Sequence, residues 1–243
     1  MTNVLSYSTT AYFKHLKFLL LFSLPFIIAF VIPLFASLPT YNDAGAIFIR
    51  TASIFTNLNV VSTSVIAIAV FFSLLFLSFS IVAINVIVKH SRVGIRIKDE
   101  VIKCMEKYTS KVFVLLLAYT AVVMVVGVLS YVYDLTAIPE YAAALALTPL
   151  LFYAPASIVI DDYGISRAVK ASARFFVRRF DYFLLWLAIA IVLVTLFDFV
   201  FIEISGTSLS RYAMLVFNSL FILPFLVVLQ SELYMKRFPL MKR

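Results

Sequence analysis

The first candidates for chemistry in this sequence are polar side chains that lie within long apolar stretches. Asp198 is the carboxylate that lies furthest inside such a stretch. An ionisable group in hydrocarbon is costly, so it suggests a proton or ion site unless a neighbour pairs with it. Arg211 and Asn218 follow on the next stretch and are the available partners. The three residues form a possible intramembrane polar site, for which structural pairing is favoured over ion transport.

Two segments combine basic and apolar residues at helical spacing. In residues 164–180 and in residues 98–111, an apolar face recurs every three to four positions and a basic stripe lies beside it. A basic helix with an apolar face is typical of a segment that lies in the membrane interface and meets anionic lipid headgroups. The candidates for binding such lipids or a protein partner are Lys103, Lys107, Arg167, Lys170, Arg174 and Arg178.

Enzymatic and metal-dependent functions have little support in the sequence. The chain has two histidines and one cysteine, and no His/Cys/Asp/Glu cluster has the spacing of metal ligands. It contains no glycine-rich phosphate loop and no Ser/His/Asp set that the topology could bring together. We therefore expect a protein that is not an enzyme, with no metal and no cofactor.

The elements that position these residues follow from the composition. The 243 residues have a mean hydropathy of +1.08, with 64% hydrophobic and 13% charged residues. Average globular proteins are nearer 45–50% apolar and ~25% charged, which excludes an ordinary soluble domain. The apolar content excludes a disordered chain, and the single cysteine excludes a disulfide scaffold. A multi-pass membrane protein remains.

Six apolar stretches are long enough to cross ~30 Å of hydrocarbon as helices. They are residues 16–38, 60–88, 112–133, 141–160, 182–202 and 212–235. The expected fold is all-α, a single membrane domain of six transmembrane helices. Interfacial helices at about 98–111 and 164–180 complete it.

The positions of Lys and Arg predict the orientation of the chain. Of the 20 Lys and Arg residues, 18 lie at the N-terminus, between spans two and three, between spans four and five, or after span six. By the positive-inside rule both termini are cytoplasmic, in the cell membrane. The sequence pI of about 9.6 is therefore a topology signal, and nucleic acid is not an expected partner.

A turn between the fourth span and the second basic segment is a further prediction. Gly164 is expected to let the backbone turn sharply into the interfacial helix. Asp161 and Asp162 are expected to cap the N-terminus of that helix. Ser172 is small and allows close packing on neighbouring spans. This structural interpretation of the four residues is favoured over ligand binding.

A resemblance to a known family rests on the segment IVIDDYGISRAVKASARFFVRRFDYFLLW. It resembles the membrane domain that precedes some bacterial glycerophosphoryl diester phosphodiesterases, and the stand-alone six-span proteins related to it, many of them archaeal. The positions that match the family's pattern are Asp161 or Asp162, Gly164, Ala168 and Ser172. No phosphodiesterase catalytic domain follows here, so the resemblance implies a membrane module without that activity.

Three functional hypotheses remain. The first is a non-enzymatic membrane protein that organises anionic lipid or a protein partner through its basic cytoplasmic helices. The second is a small-solute or ion transporter or channel that uses Asp198, and the third is an accessory subunit of a larger membrane complex.

Overall fold

The computed structural model describes residues 2–35, 40–43, 45–49, 60–93, 97–135 and 138–236. These residues are almost entirely helical. The elements of the first half are α1 (Thr2–Lys14), α2 (Leu16–Phe35), β1 (Thr40–Asp43), β2 (Ala46–Ile49), α3 (Val60–Val93) and α4 (Ile97–Val132). Those of the second half are α5 (Ile138–Leu151), α6 (Ala154–Ile160), α7 (Ile165–Arg178), α8 (Phe180–Phe217), a π-helical turn (Asn218–Ile222) and α9 (Leu223–Met235).

The prediction of six membrane-spanning helices is confirmed. Six helical segments of the described chain are long and apolar enough to cross a membrane. They are Leu16–Leu34, Thr63–Ser91, Ile102–Val132, Ile138–Ile160, Phe180–Ile204 and Ser210–Met235. Each overlaps one predicted stretch, because a long apolar run can satisfy its backbone groups in hydrocarbon only by forming a helix.

Helix α8 contains all of the fifth span (Phe180–Ile204) and the start of the sixth span (Ser210–Met235), and the chain reverses direction between them. The ring centroids of Phe197 and Phe217 are 4.6 Å apart, although twenty residues of straight helix would separate them by about 30 Å. Nearer the start of α8, the indole N–H of Trp186 donates to the carbonyl of Leu226 on α9 (2.8 Å). Spans five and six therefore form an antiparallel pair, as the sequence predicts.

The region 98–111 differs from the prediction of a separate interfacial helix. It forms the first part of α4, which runs as one helix of 36 residues into the third span. Met105, Tyr108 and Val112 on this part are buried in the main hydrophobic cluster. The apolar face that suggested an interfacial helix packs against the protein itself.

A short β-hairpin departs from the expected all-helical fold and was not predicted from the sequence. Strands β1 and β2 pair antiparallel, with Thr40 opposite Ile49 and Asp43 opposite Ala46. Gly45 in the turn has φ +70° and accepts a hydrogen bond at its carbonyl from the side-chain amide of Asn218 (2.8 Å). The hairpin is thereby attached to the sixth span.

Proline explains the π-helical turn that precedes α9. Pro224 has no N–H, and its ring excludes the carbonyl of Leu220 from the usual position. The π-turn Asn218–Ile222 widens the helix at this point, and its Phe221 carbonyl accepts a hydrogen bond from the Tyr12 hydroxyl of α1 (3.2 Å). The N-terminal helix α1 therefore packs along the sixth span.

Several elements meet at one end of the bundle, which we call the basic end. It comprises the end of α3, the first part of α4, the end of α6, all of α7, the start of α8 and the end of α9. Lys89 at the end of α3 donates to the Val159 carbonyl at the end of α6 (2.7 Å). Residues 82 to 88 of α3 are buried between these elements and form the core there.

Candidate functional site

The fourth span is broken between α5 and α6, and Ser172 of α7 occupies the break. Pro155 has no N–H, and its ring excludes the carbonyl of Leu151, so the helix cannot run through this point. The Ser172 hydroxyl donates to the Leu150 carbonyl (2.7 Å) and accepts from the Tyr153 N–H (3.0 Å). One buried side chain satisfies two backbone groups that the break leaves without helical partners.

Two further polar side chains join helices inside the membrane. The side-chain amide of Gln230 on α9 donates to the Phe152 carbonyl in the same break. The amide of Asn85 on α3 donates to the Ile81 carbonyl and accepts from the Ser231 hydroxyl, both at 2.7 Å. These side chains hold helices together in hydrocarbon, where an unpaired polar group is costly.

The prediction that Asp161 and Asp162 cap α7 was wrong. Helix α7 has no side-chain hydrogen bond at its N-terminus. Asp161 accepts a hydrogen bond from the Tyr234 hydroxyl of α9 (2.6 Å). Asp162 forms ion pairs with Lys107 (2.5 Å) and Lys111 (3.7 Å) of α4. The two carboxylates precede the cap residue by two or more positions, so they bind neighbouring helices instead.

The prediction that Gly164 provides the backbone freedom of the turn was also wrong. Gly164 is the N-cap residue of α7 with φ −71° and ψ 160°, a conformation open to any residue. A Cβ atom at Gly164 would meet nothing within 4 Å. The left-handed residue of the turn is Asp162, with φ 56°. Aspartate tolerates this conformation better than most residues because its short polar side chain bonds locally.

The ion pair changes the properties of both its members. The hydrogen bond from Lys107 holds the pKa of the Asp162 carboxyl below its usual value, and burial acts weakly in the opposite direction. Asp162 is therefore ionised at neutral pH, and the contact is lost only as the pH falls through this lowered pKa. Both side chains are about half exposed, at 51% and 47%, so the pair stabilises the fold little. The charge of Lys107 is nonetheless compensated, which makes it a poorer ligand for an external anion.

The basic stripe of α7 lies on the exposed side of that helix. Ala168, Ser172 and Phe175 form its buried face against the fourth span. The exposed basic residues are Arg167, Lys170, Arg174 and Arg178. Within the part of the chain that the structure describes, none of the four has a hydrogen bond or an ion pair. Lys103 on α4 is exposed in the same way.

A cavity of about 520 Å³ opens beside this stripe, between α7, the start of α8 and the end of α9. We call it the basic pocket. Its cationic lining residues are Arg174, Arg178, Arg179 and Lys236. Its aromatic lining residues are Tyr163, Phe175 and Tyr182. No acidic residue of the described chain lines it.

Tyr182 organises two of the four cations. The Arg179 guanidinium lies 4.2 Å from the Tyr182 ring centroid and donates to its hydroxyl. The Lys236 ammonium lies 5.2 Å from the same centroid. Such cation–π contacts fix the directions of both side chains. Behind the ring, Phe175 and Tyr234 pack with centroids 5.2 Å apart and close the inner wall.

Only two of the four cations of the basic pocket were predicted from the sequence as binding residues. Arg174 and Arg178 were candidates, whereas Arg179 and Lys236 were not assigned to the site. Arg179 lies off the stripe that helical spacing defines, because α7 ends at Arg178. Lys236 is distant along the chain, and only the packing of α9 against α8 brings it to the others.

The predicted intramembrane site of Asp198, Arg211 and Asn218 does not form as a unit. Neither Asp198 nor Arg211 has a hydrogen bond or an ion pair among the described residues. Asn218 donates to the Gly45 carbonyl, and its side-chain oxygen is buried without a partner. The hairpin, rather than Asp198, is the partner of Asn218.

A second cavity, of about 280 Å³, opens beside the break in the fourth span. Most of its wall is apolar, from Ile81, Leu115 and their neighbours. Its polar residues are already engaged: Tyr119 and Thr148 bond to each other (3.0 Å), and Gln230 binds the break.

The chemistry of the basic pocket is that of an anion site. Its four cations, its hydroxyl groups and its aromatic walls suit a charged group with a carbon part attached. No group of three or more His, Cys, Asp or Glu residues in the described chain is placed to hold a metal ion.

No protein-family model, curated protein or solved structure matches this chain. The resemblance to the membrane domain of glycerophosphoryl diester phosphodiesterases therefore stays a prediction. Function has to be argued from the geometry of the basic end.

Proposed function

We propose that this chain is a non-enzymatic membrane protein that binds anionic lipid headgroups at its basic end. The observation that supports this proposal most directly is the exposed stripe Arg167, Lys170, Arg174 and Arg178, whose charges have no partner within the described residues. Arginine and lysine beside a membrane attract anionic lipids by about 1 kcal/mol each. A stripe of four is enough to enrich such lipids around the protein.

In the proposed orientation the protein lies in the cell membrane, and its basic end is in the cytoplasm. Both termini are then cytoplasmic, in agreement with the 18 of 20 Lys and Arg that flank the spans on this side. Helix α7 would lie along the inner interface, with its basic stripe toward the headgroups and Ala168, Ser172 and Phe175 against the fourth span.

A protein partner is the alternative occupant of this surface, and a role as a subunit of a larger complex follows from it. Lipid is favoured because the stripe belongs to a helix next to the membrane, where headgroups are always present. Transport through Asp198 has less support, since Asp198 lines neither the basic pocket nor the cavity beside the break in the fourth span.

The double charge reversal Arg167→Glu, Lys170→Glu tests the proposal. Two attractive charges are lost and become repulsive, so affinity for an anionic lipid should fall by about 30-fold or more. The measurement is a titration of the full chain in detergent micelles with short-chain phosphatidylglycerol, with phosphatidylcholine as the neutral reference. Both residues lie outside the basic pocket.

Arg211→Glu is the matched control, since Arg211 is an exposed arginine outside the basic end. It should leave the affinity for phosphatidylglycerol unchanged. Equal affinities of the double variant and the wild-type protein for phosphatidylglycerol would overturn the proposal.

A further inference from the structure

The basic pocket differs from the rest of the basic end because four cations from three parts of the chain line one cavity. Arg174 and Arg178 come from α7, Arg179 from the turn before α8, and Lys236 from the end of α9. Its volume of about 520 Å³ lies within the range of small-molecule sites, about 300–1,000 Å³. The stripe residues Arg167 and Lys170 lie on the same helix but do not line it.

Among the described residues, no acidic side chain forms an ion pair with the four cations of the pocket. Arg179 and Lys236 lie against the same ring, so two like charges are held close together. Arg174 and Arg178 have no acidic partner among the residues that the structure describes. Of the acidic residues nearest to these cations in the sequence, Asp162 pairs with lysines of α4, and Asp181 and Glu232 do not line the pocket. Concentrated positive charge of this kind is stabilised by an anion of more than one charge.

We propose that the basic pocket is a specific site for a phosphomonoester, the phosphate of a lipid headgroup or of a soluble metabolite. This inference rests on the proposed function and names the ligand class of its basic end. A phosphomonoester carries −1.5 to −2 charges at neutral pH, whereas a phosphodiester carries about one. Planar guanidinium groups match phosphate oxygens two at a time, and three of the four cations are arginines.

The aromatic residues supply the second half of the recognition. Tyr163, Phe175 and Tyr182 line the pocket beside the cations and offer apolar surface to the carbon atoms attached to the phosphate. The pocket therefore selects its ligand by the charge of the phosphate at the cationic side and by the shape of the attached carbon part at the aromatic side. Arg167 and Lys170, which lie outside the pocket, have only the first property, so they bind anionic lipids without this preference.

The test compares two short-chain lipids by calorimetry, using the full chain in detergent micelles at pH 7.5. Phosphatidic acid presents a phosphomonoester and phosphatidylglycerol a phosphodiester. The wild-type protein should bind phosphatidic acid at least about tenfold more tightly. The variant Arg178→Gln, Lys236→Gln should lose this preference. The matched control Arg167→Gln, Lys170→Gln removes as many charges outside the pocket. It should keep the preference for phosphatidic acid and lower the affinity for both lipids.

Glycerol 3-phosphate distinguishes the two sources of the phosphate. Competition with phosphatidic acid at similar affinity supports a soluble ligand, and failure to compete supports a lipid headgroup. The variant Arg178→Lys preserves the charge but not the paired donors, so a reduced preference in this variant supports the site even if the double variant does not fold.

Two results would overturn the proposal. One is equal affinity of the wild-type protein for the two lipids, and the other is a preference that Arg178→Lys and the double glutamine variant both retain. A preference for phosphatidic acid together with an unaffected Arg167→Glu, Lys170→Glu variant would instead refute the surface proposal and leave the pocket standing.

Discussion

Replacing Ser172 with alanine should lower the free energy of unfolding by about 2–4 kcal/mol. The hydroxyl is the hydrogen-bond partner of both the Leu150 carbonyl and the Tyr153 N–H at the break in the fourth span. Each buried backbone group that loses its partner costs about 1–3 kcal/mol, and no water is available in hydrocarbon to replace it. Reversible unfolding in mixed micelles measures the loss.

Ser166→Ala provides the control for this variant. Ser166 is exposed on the same helix and has no hydrogen bond within the described chain, so its loss should change stability by no more than about 0.5 kcal/mol. If Ser172→Ala were as stable as Ser166→Ala, the break in the fourth span would not depend on α7, and the position of the basic stripe would lose its structural explanation.

Replacing Gly45 with serine should cost about 2–4 kcal/mol, the second large effect that the structure predicts. Gly45 has φ +70°, where a side chain costs roughly 1–2 kcal/mol. Its Cβ would lie 2.9 Å from the Cβ of Asn218 and 3.2 Å from the Met214 carbonyl oxygen. The hairpin must then move away and release the Asn218 hydrogen bond. Thermal unfolding of the variant and the wild-type protein in detergent measures this loss of stability.

The same substitution at Gly164 is the comparison. Gly164 has an ordinary φ and open space around it, and serine is a good residue at the N-cap of a helix. Gly164→Ser should therefore be neutral or slightly stabilising. Equal destabilisation at both positions would contradict the assignment of Gly45 as the strained glycine.

The six spans could be predicted because hydrocarbon leaves a long apolar segment only one backbone structure. The same argument does not locate breaks within a span. Pro149 and Pro155 indicate that the fourth span is irregular, but Ser172 and Gln230 are recognised as its partners only once the helices are packed. Sequence alone gave Ser172 the weaker role of a small residue.

Helical spacing predicted the basic stripe of α7 and misjudged the first part of α4. Both segments have an apolar and a basic face, and spacing cannot tell whether the apolar face meets lipid or protein. In α4 the apolar face is buried against the bundle, and Lys107 pairs with Asp162. Asp162 lies 55 residues from Lys107, so the local sequence does not show this pair.

The polar residues of spans five and six show the same limit. Asp198, Arg211 and Asn218 are close enough along the chain to suggest a shared site. The structure instead joins Asn218 to Gly45, which is far away in the sequence. This contact joins residues 173 positions apart and depends on the hairpin between the first two spans. The composition of that connection does not indicate a hairpin.

Native mass spectrometry of the protein purified in a mild detergent tests whether the basic end binds anionic headgroups. It reports the copy number, the retained lipids and any bound protein in one experiment. We expect retained anionic phospholipid on the wild-type protein and its loss from the variant Arg167→Glu, Lys170→Glu. Retention of neutral lipid alone, or the same anionic lipid on both proteins, would contradict the claim that the basic end binds anionic headgroups.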